Sequence, residues 1–145
     1  MKCEMRDARC GLTFRSEPAR AFAPRSGHRG IRWVLCHLGG AIPYLAERLD
    51  RGYFAFSECR EHIGRPPSEI LKRFYYDTVN FDPNCLRLAI EFAGADHLLA
   101  GSDYPHLIGS LDKMTSSLRK LEISEEQRNG ILGGNAARLL GIAPD

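Results

Sequence analysis

From residue 31 onward the apolar positions alternate between two spacings. Residues 31–36, 73–78 and 97–100 are short, dense runs of aliphatic, aromatic or β-branched side chains, the content of buried strands. Between them the spacing becomes helical. Ile42, Leu45, Ala46 and Leu49 share one face of a helix predicted at about 41–50. It is entered through Gly39-Gly40 and carries Pro43 in its first turn, where a missing N–H costs little. A second short helix is expected at 53–63, broken by Gly64-Arg65-Pro66-Pro67. Ser68 is then placed to cap a helix through Lys72. Asp82-Pro83 supplies an N-cap and an N1 proline for a helix over 84–93, which stops at Gly94. Beyond Gly109 three helices are predicted: one over about 111–121, one behind the capping box Ser124-Glu125-Glu126-Gln127, and one opening at Asn135 and closing at Gly141.

Strand and helix in alternation predict parallel strands with right-handed crossovers, an α/β fold. About three strands and a helical tail fall short of a complete (β/α)8 barrel, which takes about 250 residues. The chain therefore reads as the C-terminal portion of a TIM barrel. Residues 1–30 depart from this pattern. They hold six Arg and one Lys against three acids, with no Ile or Val and no periodicity. Such a segment buries too little apolar surface to offset its ordering entropy, so a disordered, non-family leader is expected over 1–30 and the folded domain over 31–145.

Net charge is +2 over 145 residues, so nothing global points to nucleic acid or an anionic membrane. No apolar run nears the ~20 residues of a membrane span, and the N-terminus lacks a secretory h-region. Cys3, Cys10, Cys36, Cys59 and Cys85 are odd in number and contain no C-x-x-C pair. Reduced thiols and a cytoplasmic location are the expectation.

The chemistry concentrates where two strands end. Cys36-His37-Leu38-Gly39-Gly40 and Gly101-Ser102-Asp103-Tyr104-Pro105-His106 each follow an apolar run and break into Gly or Pro. C-terminal strand ends of parallel barrels face a common pocket, and imidazole with carboxylate is a common metal ligand pair. A lone His is more often a core residue bonded to backbone, but Gly-Gly beside His37 leaves room for a ligand. A carboxylate at 103 is costly to bury without a cation or donors. Asp77 ends the middle strand, with Asn80 three residues on; bonding to a neighbouring loop, or support of a ligand residue, is favoured over catalysis for Asp77. His106 can reach the rim as acid, base or substrate contact. His62 and His97 read as surface residues. Ser102 has no G-x-S-x-G setting and Cys36 no activating partner, so nucleophilic catalysis has no support.

Taken together, Cys-His-Leu-Gly-Gly-Ala at 36–41, Phe-Tyr-Tyr-Asp-Thr at 74–78, Asp-Pro at 82–83, Gly-Ser-Asp-Tyr-Pro at 101–105 and Gly-Asn-Ala-Ala-Arg-Leu-Leu-Gly at 134–141 resemble the C-terminal half of amidohydrolase-related proteins of the aminocarboxymuconate-semialdehyde decarboxylase type. The resemblance implies a metal-dependent TIM-barrel enzyme with a divalent metal, zinc first, held by His37 and Asp103. It implies metal-activated water acting on a small carboxylate or carbonyl substrate, with Asp103 assisting as base, in a hydrolase or carboxy-lyase. Two departures matter. The family's His-x-His on the first barrel strand occurs nowhere in this chain, so a truncated enzyme is expected. The alternative is an inactive fragment that needs a partner chain to complete the barrel. Phe81 also stands where decarboxylases of this group carry an acid/base His before Asp-Pro. Open parallel edges further predict association, as a homo-oligomer.

Overall fold

A computed structural model describes residues 31–142. The expected leader, with Cys3 and Cys10, lies outside them. Residues 45–70 group into one compact unit, and residues 32–44 with 71–142 into another.

The second unit is built on three parallel strands, β1 (Val34–Leu35), β2 (Tyr75–Asp77) and β3 (Leu98–Leu99), in the order β1-β2-β3. Val34 pairs with Tyr75, Leu35 with Tyr76, Tyr76 with Leu98 and Asp77 with Leu99. This register brings all three strands to their C-terminal ends at one edge. The central strand carries the largest buried side chain. Tyr76 is fully enclosed, its hydroxyl donates to the Leu71 carbonyl (2.7 Å), and Phe92 meets its ring edge-on. Burial pushes the Tyr76 phenol well above the usual tyrosine range. Leu86, Leu98, Leu118 and Ile131 are also fully buried.

Local signals explain the helices. α1 (Ile42–Ala55) runs five residues beyond its expected end, through Gly52, and residues 53–63 do not form a helix of their own. Phe56 turns extended (φ −121°, ψ 125°), and a short 3-10 turn, Ser57–Arg60, follows. Arg60 donates to the Tyr53 and Phe54 carbonyls, occupying acceptors the helix end leaves free. α2 (Pro67–Leu71) starts one residue before the predicted cap. Ser68 lies inside it, and Asp50 accepts from both its N–H (2.9 Å) and its hydroxyl (2.6 Å), so the capping group comes from another helix. α3 (Pro83–Ala93) has the predicted Asp82 cap, whose Oδ1 accepts from the Asn84 and Cys85 N–H groups. α4 (Leu111–Arg119) is capped by Ser110, and α5 (Glu125–Asn129) by the Ser124/Gln127 box.

The helix expected from Asn135 to Gly141 is present, but it is not opened by a cap. α5 continues through a π-helical turn, Gly130–Gly134, into α6 (Asn135–Leu140). Asn135 is buried within helical backbone and donates to the Ala95 and Leu98 carbonyls, both at 2.8 Å. Ile131 in the wide turn accepts from the Ala100 N–H (2.9 Å) just beyond β3. The helical tail is thus stitched to the strand that leads to Asp103. Arg128 works at the same end, donating to the Leu118, Leu121 and Ile123 carbonyls. Among the described residues no helix is long and apolar enough to cross a membrane.

Candidate active site

Three loops leave the C-terminal ends of β1, β2 and β3, and each carries backbone that L-residues rarely adopt. His37 (φ 53°), Leu38 (φ 56°), Phe81 (φ 64°) and Asp103 (φ 59°) are the non-glycine residues with positive φ among those described. Each such residue costs on the order of 1–2 kcal/mol, and such strain collects at functional sites. All four lie at one rim of the sheet.

The β1 loop is held in this shape from below. Gly39 runs so close to the central strand that a Cβ there would lie 2.5 Å from the Tyr76 ring, and its φ is +72°. Leu38 is buried, which turns His37 outward with two-thirds of its side chain exposed. The β3 loop is equally tight. Ser110 N–H donates to the Ser102 carbonyl (2.8 Å) and His106 N–H to the Asp103 carbonyl (2.8 Å). A Cβ on Gly109 would meet the Asp103 carbonyl oxygen at 2.4 Å. The Tyr104–Pro105 peptide is cis.

These loops bring together three of the residues singled out from the sequence. His37 Nε2 lies 3.9 Å from Asp103 Oδ1, and His106 Nδ1 lies 3.8 Å from Asp103 Oδ2. Asp103, less than a quarter exposed, therefore sits between two exposed imidazoles, one facing each carboxylate oxygen. Asp77 is at the same rim and bonds a neighbouring loop: its Oδ1 accepts from the Leu38 N–H (2.9 Å) and the Val79 N–H (3.0 Å). Asn80 is exposed and accepts locally from the Asp82 N–H (3.3 Å). Phe81 is half-buried directly before the α3 cap.

Two features escaped the sequence reading. Thr78, fully buried, bridges the β2 and β3 loops through Gly101; its place after Asp77 was the available signal. The left-handed backbone at His37 and Leu38 had none beyond the adjacent glycines. His97 also differs from expectation. It is not a plain surface residue: its ring lies against Tyr75 (5.0 Å between centroids), and its buried Nδ1, without a hydrogen-bond partner, stands 3.4 Å from Asp96 Oδ1. Among the described residues no group of three or more His, Cys, Asp or Glu is arranged to hold a metal ion.

A family profile described as Amidohydrolase matches residues 19–142. The chain is 30% identical over 118 residues to 2-amino-3-carboxymuconate-6-semialdehyde decarboxylase of Dictyostelium discoideum, covering 79% of this chain and 32% of that protein. It is 30% identical over 115 residues to 6-methylsalicylic acid decarboxylase of Penicillium expansum, covering 76% and 35%. The crystal structure of dihydroxybenzoic acid decarboxylase from Polaromonas sp. JS666, with bound manganese and the inhibitor 2-nitroresorcinol, superposes with a TM-score of 0.76 at 25% identity, covering 90% of this chain and 40% of that one. The chain spans about a third of the length of these curated relatives. Its three parallel strands and flanking helices have the fold of part of a TIM barrel, about 40% of the Polaromonas chain.

Proposed function

The chain belongs to the amidohydrolase family, and we propose that its strand-end rim is part of a divalent-metal centre for decarboxylating a small aromatic carboxylate. The observation that carries this reading is the approach of His37 Nε2 to Asp103 Oδ1, 3.9 Å, by residues on two strands that are not neighbours in the sheet. Ligand bonds of about 2.0–2.2 Å place two donors of one cation roughly 3–3.5 Å apart. Small side-chain rotations close that difference. Imidazole and carboxylate suit zinc or manganese, and the manganese in the Polaromonas relative makes Mn2+ the first ion to test against zinc. Two donors fit part of a coordination sphere that takes three or four protein ligands. The remainder must come from outside the described residues.

A bound divalent ion supplies Lewis-acid polarisation of a substrate oxygen. The chain's own residues provide the rest. The exposed faces of His37 and His106 leave the rim open to a ligand, and Asp103 fixes the spacing between them. Decarboxylation breaks a C–C bond, leaves the electron pair on the ring carbon and requires a proton there. Phe81 offers none. His106, 3.8 Å from Asp103 Oδ2, is the proton-bearing group in this reading, with the Asp103 carboxylate beside it. Hydrolysis by metal-activated water is the second reading, favoured by Phe81 in place of a proton-carrying side chain. A cytoplasmic location, consistent with free thiols at Cys36 and Cys85, and self-association at the edge of β1 that is unpaired among the described residues belong to the same proposal. So does dependence on a partner chain if isolated protein proves inert.

The test is CO2 release from hydroxybenzoates and related carboxylates with Mn2+ or Zn2+ added, alone and with a chain supplying the rest of the barrel. Loss of activity in both His37→Ala and Asp103→Ala is expected. Ester or amide cleavage without CO2 selects hydrolysis, and metal-independent turnover overturns the metal reading.

A further inference from the structure

A single carboxylate oxygen at the end of the central strand joins the β1 loop to the β2 loop. Asp77 Oδ1 accepts from the Leu38 N–H at 2.9 Å and from the Val79 N–H at 3.0 Å. The first bond reaches across to the β1 loop, where His37 and Leu38 are both left-handed. The second fixes the carboxylate itself on the β2 loop. On its other flank the Asp77 Cβ lies against the backbone that leads to Asp103, since a Cβ on Gly101 would be 3.0 Å away. Gly101 is itself held at both its N–H and its carbonyl by Thr78.

Backbone in a strained region persists only while its surroundings over-determine it. Besides the packing of Gly39 on the Tyr76 ring, three things hold the His37 turn. Leu38 buries its side chain. The turn's own bonds link Gly39 N–H to the Cys36 carbonyl and Gly40 N–H to the His37 carbonyl. Neither of these relates the turn to the β3 loop, and the turn bonds would travel with it. The Asp77 bond does relate them, and bonds to an ionised acceptor are about twice as strong as neutral ones.

We infer that Asp77 is a positioning residue: its carboxylate latches the left-handed His37–Leu38 turn to the end of β2 and so sets the distance between the His37 imidazole and the Asp103 carboxylate. The role is indirect, because Asp77 acts on His37 through the backbone of the next residue. It rests on the metal reading only for its purpose; the latch itself is a property of the chain without metal.

Amide hydrogen exchange by NMR on the full chain separates the two. The Tyr75 N–H, which donates to the Trp33 carbonyl in the sheet, reports global opening, and the Leu38 N–H reports the latch. In Asp77→Ala, exchange at Leu38 is expected to accelerate at least tenfold relative to Tyr75. Asp77→Asn retains an acceptor oxygen and is expected to restore protection to within a few-fold of wild type. Mn2+ titration, read by loss of the free-ion EPR signal, is expected to show about tenfold weaker binding in Asp77→Ala, the effect of losing an outer-sphere support, and recovery in Asp77→Asn. Leu38 and Tyr75 exchange rising in step, or Leu38 unchanged, overturns the latch. So does wild-type Mn2+ affinity in Asp77→Ala when His37→Ala binds weakly. If His37→Ala itself binds Mn2+ as wild type does, the metal reading fails, and the exchange ratio alone upholds or overturns the latch.

Discussion

Thr78 grips Gly101 from both sides: its hydroxyl oxygen accepts the Gly101 N–H at 3.0 Å and donates to the Gly101 carbonyl at 3.3 Å. The side chain is fully buried, and it ties the end of β2 to the loop that carries Asp103. Thr78→Val preserves shape but leaves both peptide groups of Gly101 without a partner. Both bonds are part-buried, and a hydrogen bond is worth about 0.5–1.5 kcal/mol net, so a loss of roughly 1–3 kcal/mol is expected in urea denaturation. Thr78→Ser keeps the hydroxyl and should recover most of it. A loss in Thr78→Ser with none in Thr78→Val would assign the effect to packing of the methyl group.

Gly109 makes a sharper separation between stability and site. An added Cβ would lie 2.4 Å from the Asp103 carbonyl oxygen and 2.7 Å from that of Ser102, both backbone atoms that no rotamer change can remove. The loop must move, and Asp103 with it. Gly109→Ala is expected to weaken Mn2+ binding by tenfold or more while protection of the Tyr75 amide in the sheet is retained. Unchanged Mn2+ affinity would show that the metal does not depend on where this loop puts Asp103.

Tyr76 predicts an alkaline limit. Its phenol is pushed upward by burial, whereas in the unfolded chain it ionises near pH 10. The folded state therefore holds the proton more tightly. This contribution is fully present below about pH 10 and falls as pH rises above it, by about 1.4 kcal/mol per pH unit for one proton. Tyr76→Phe loses the bond to the Leu71 carbonyl, about 1 kcal/mol at neutral pH, but removes that slope. Denaturation at pH 8, 10 and 11 should show the two proteins converging as pH rises, and parallel curves would contradict it.

Several elements were legible because their determinants are local. Asp82-Pro83 and the Ser124/Gln127 box work within one turn and appear as read. The strand ends at His37 and Asp103 follow from short apolar runs broken by glycine or proline. Other features depend on residues distant in sequence. Ser68 looked like a cap, yet Asp50 supplies the acceptors. Asn135 does open the last helix segment, yet its amide caps nothing and instead serves the carbonyls around β3. The left-handed turn at His37 is likewise imposed from outside, by Tyr76 beneath Gly39 and Asp77 on the Leu38 N–H.

Phe81 offers the most direct test of the chemistry. It occupies a left-handed position (φ 64°) just ahead of Asp82, and β-carbon sterics make that region unfavourable for a bulky aromatic. Histidine is several-fold enriched there among non-glycine residues. Phe81→His should therefore be accommodated with little loss of stability while placing a proton carrier just ahead of Asp82. General acid–base groups contribute about 10²–10⁴-fold, so CO2 release by a complete barrel containing this chain should rise by at least tenfold. His106→Ala should then cost less in the Phe81→His background than in wild type, because the two imidazoles would share one task. Equal losses in both backgrounds would mean that His106 does something other than deliver the proton. No gain at all from Phe81→His, with folding and Mn2+ binding intact, would favour hydrolysis over carboxyl loss at this rim.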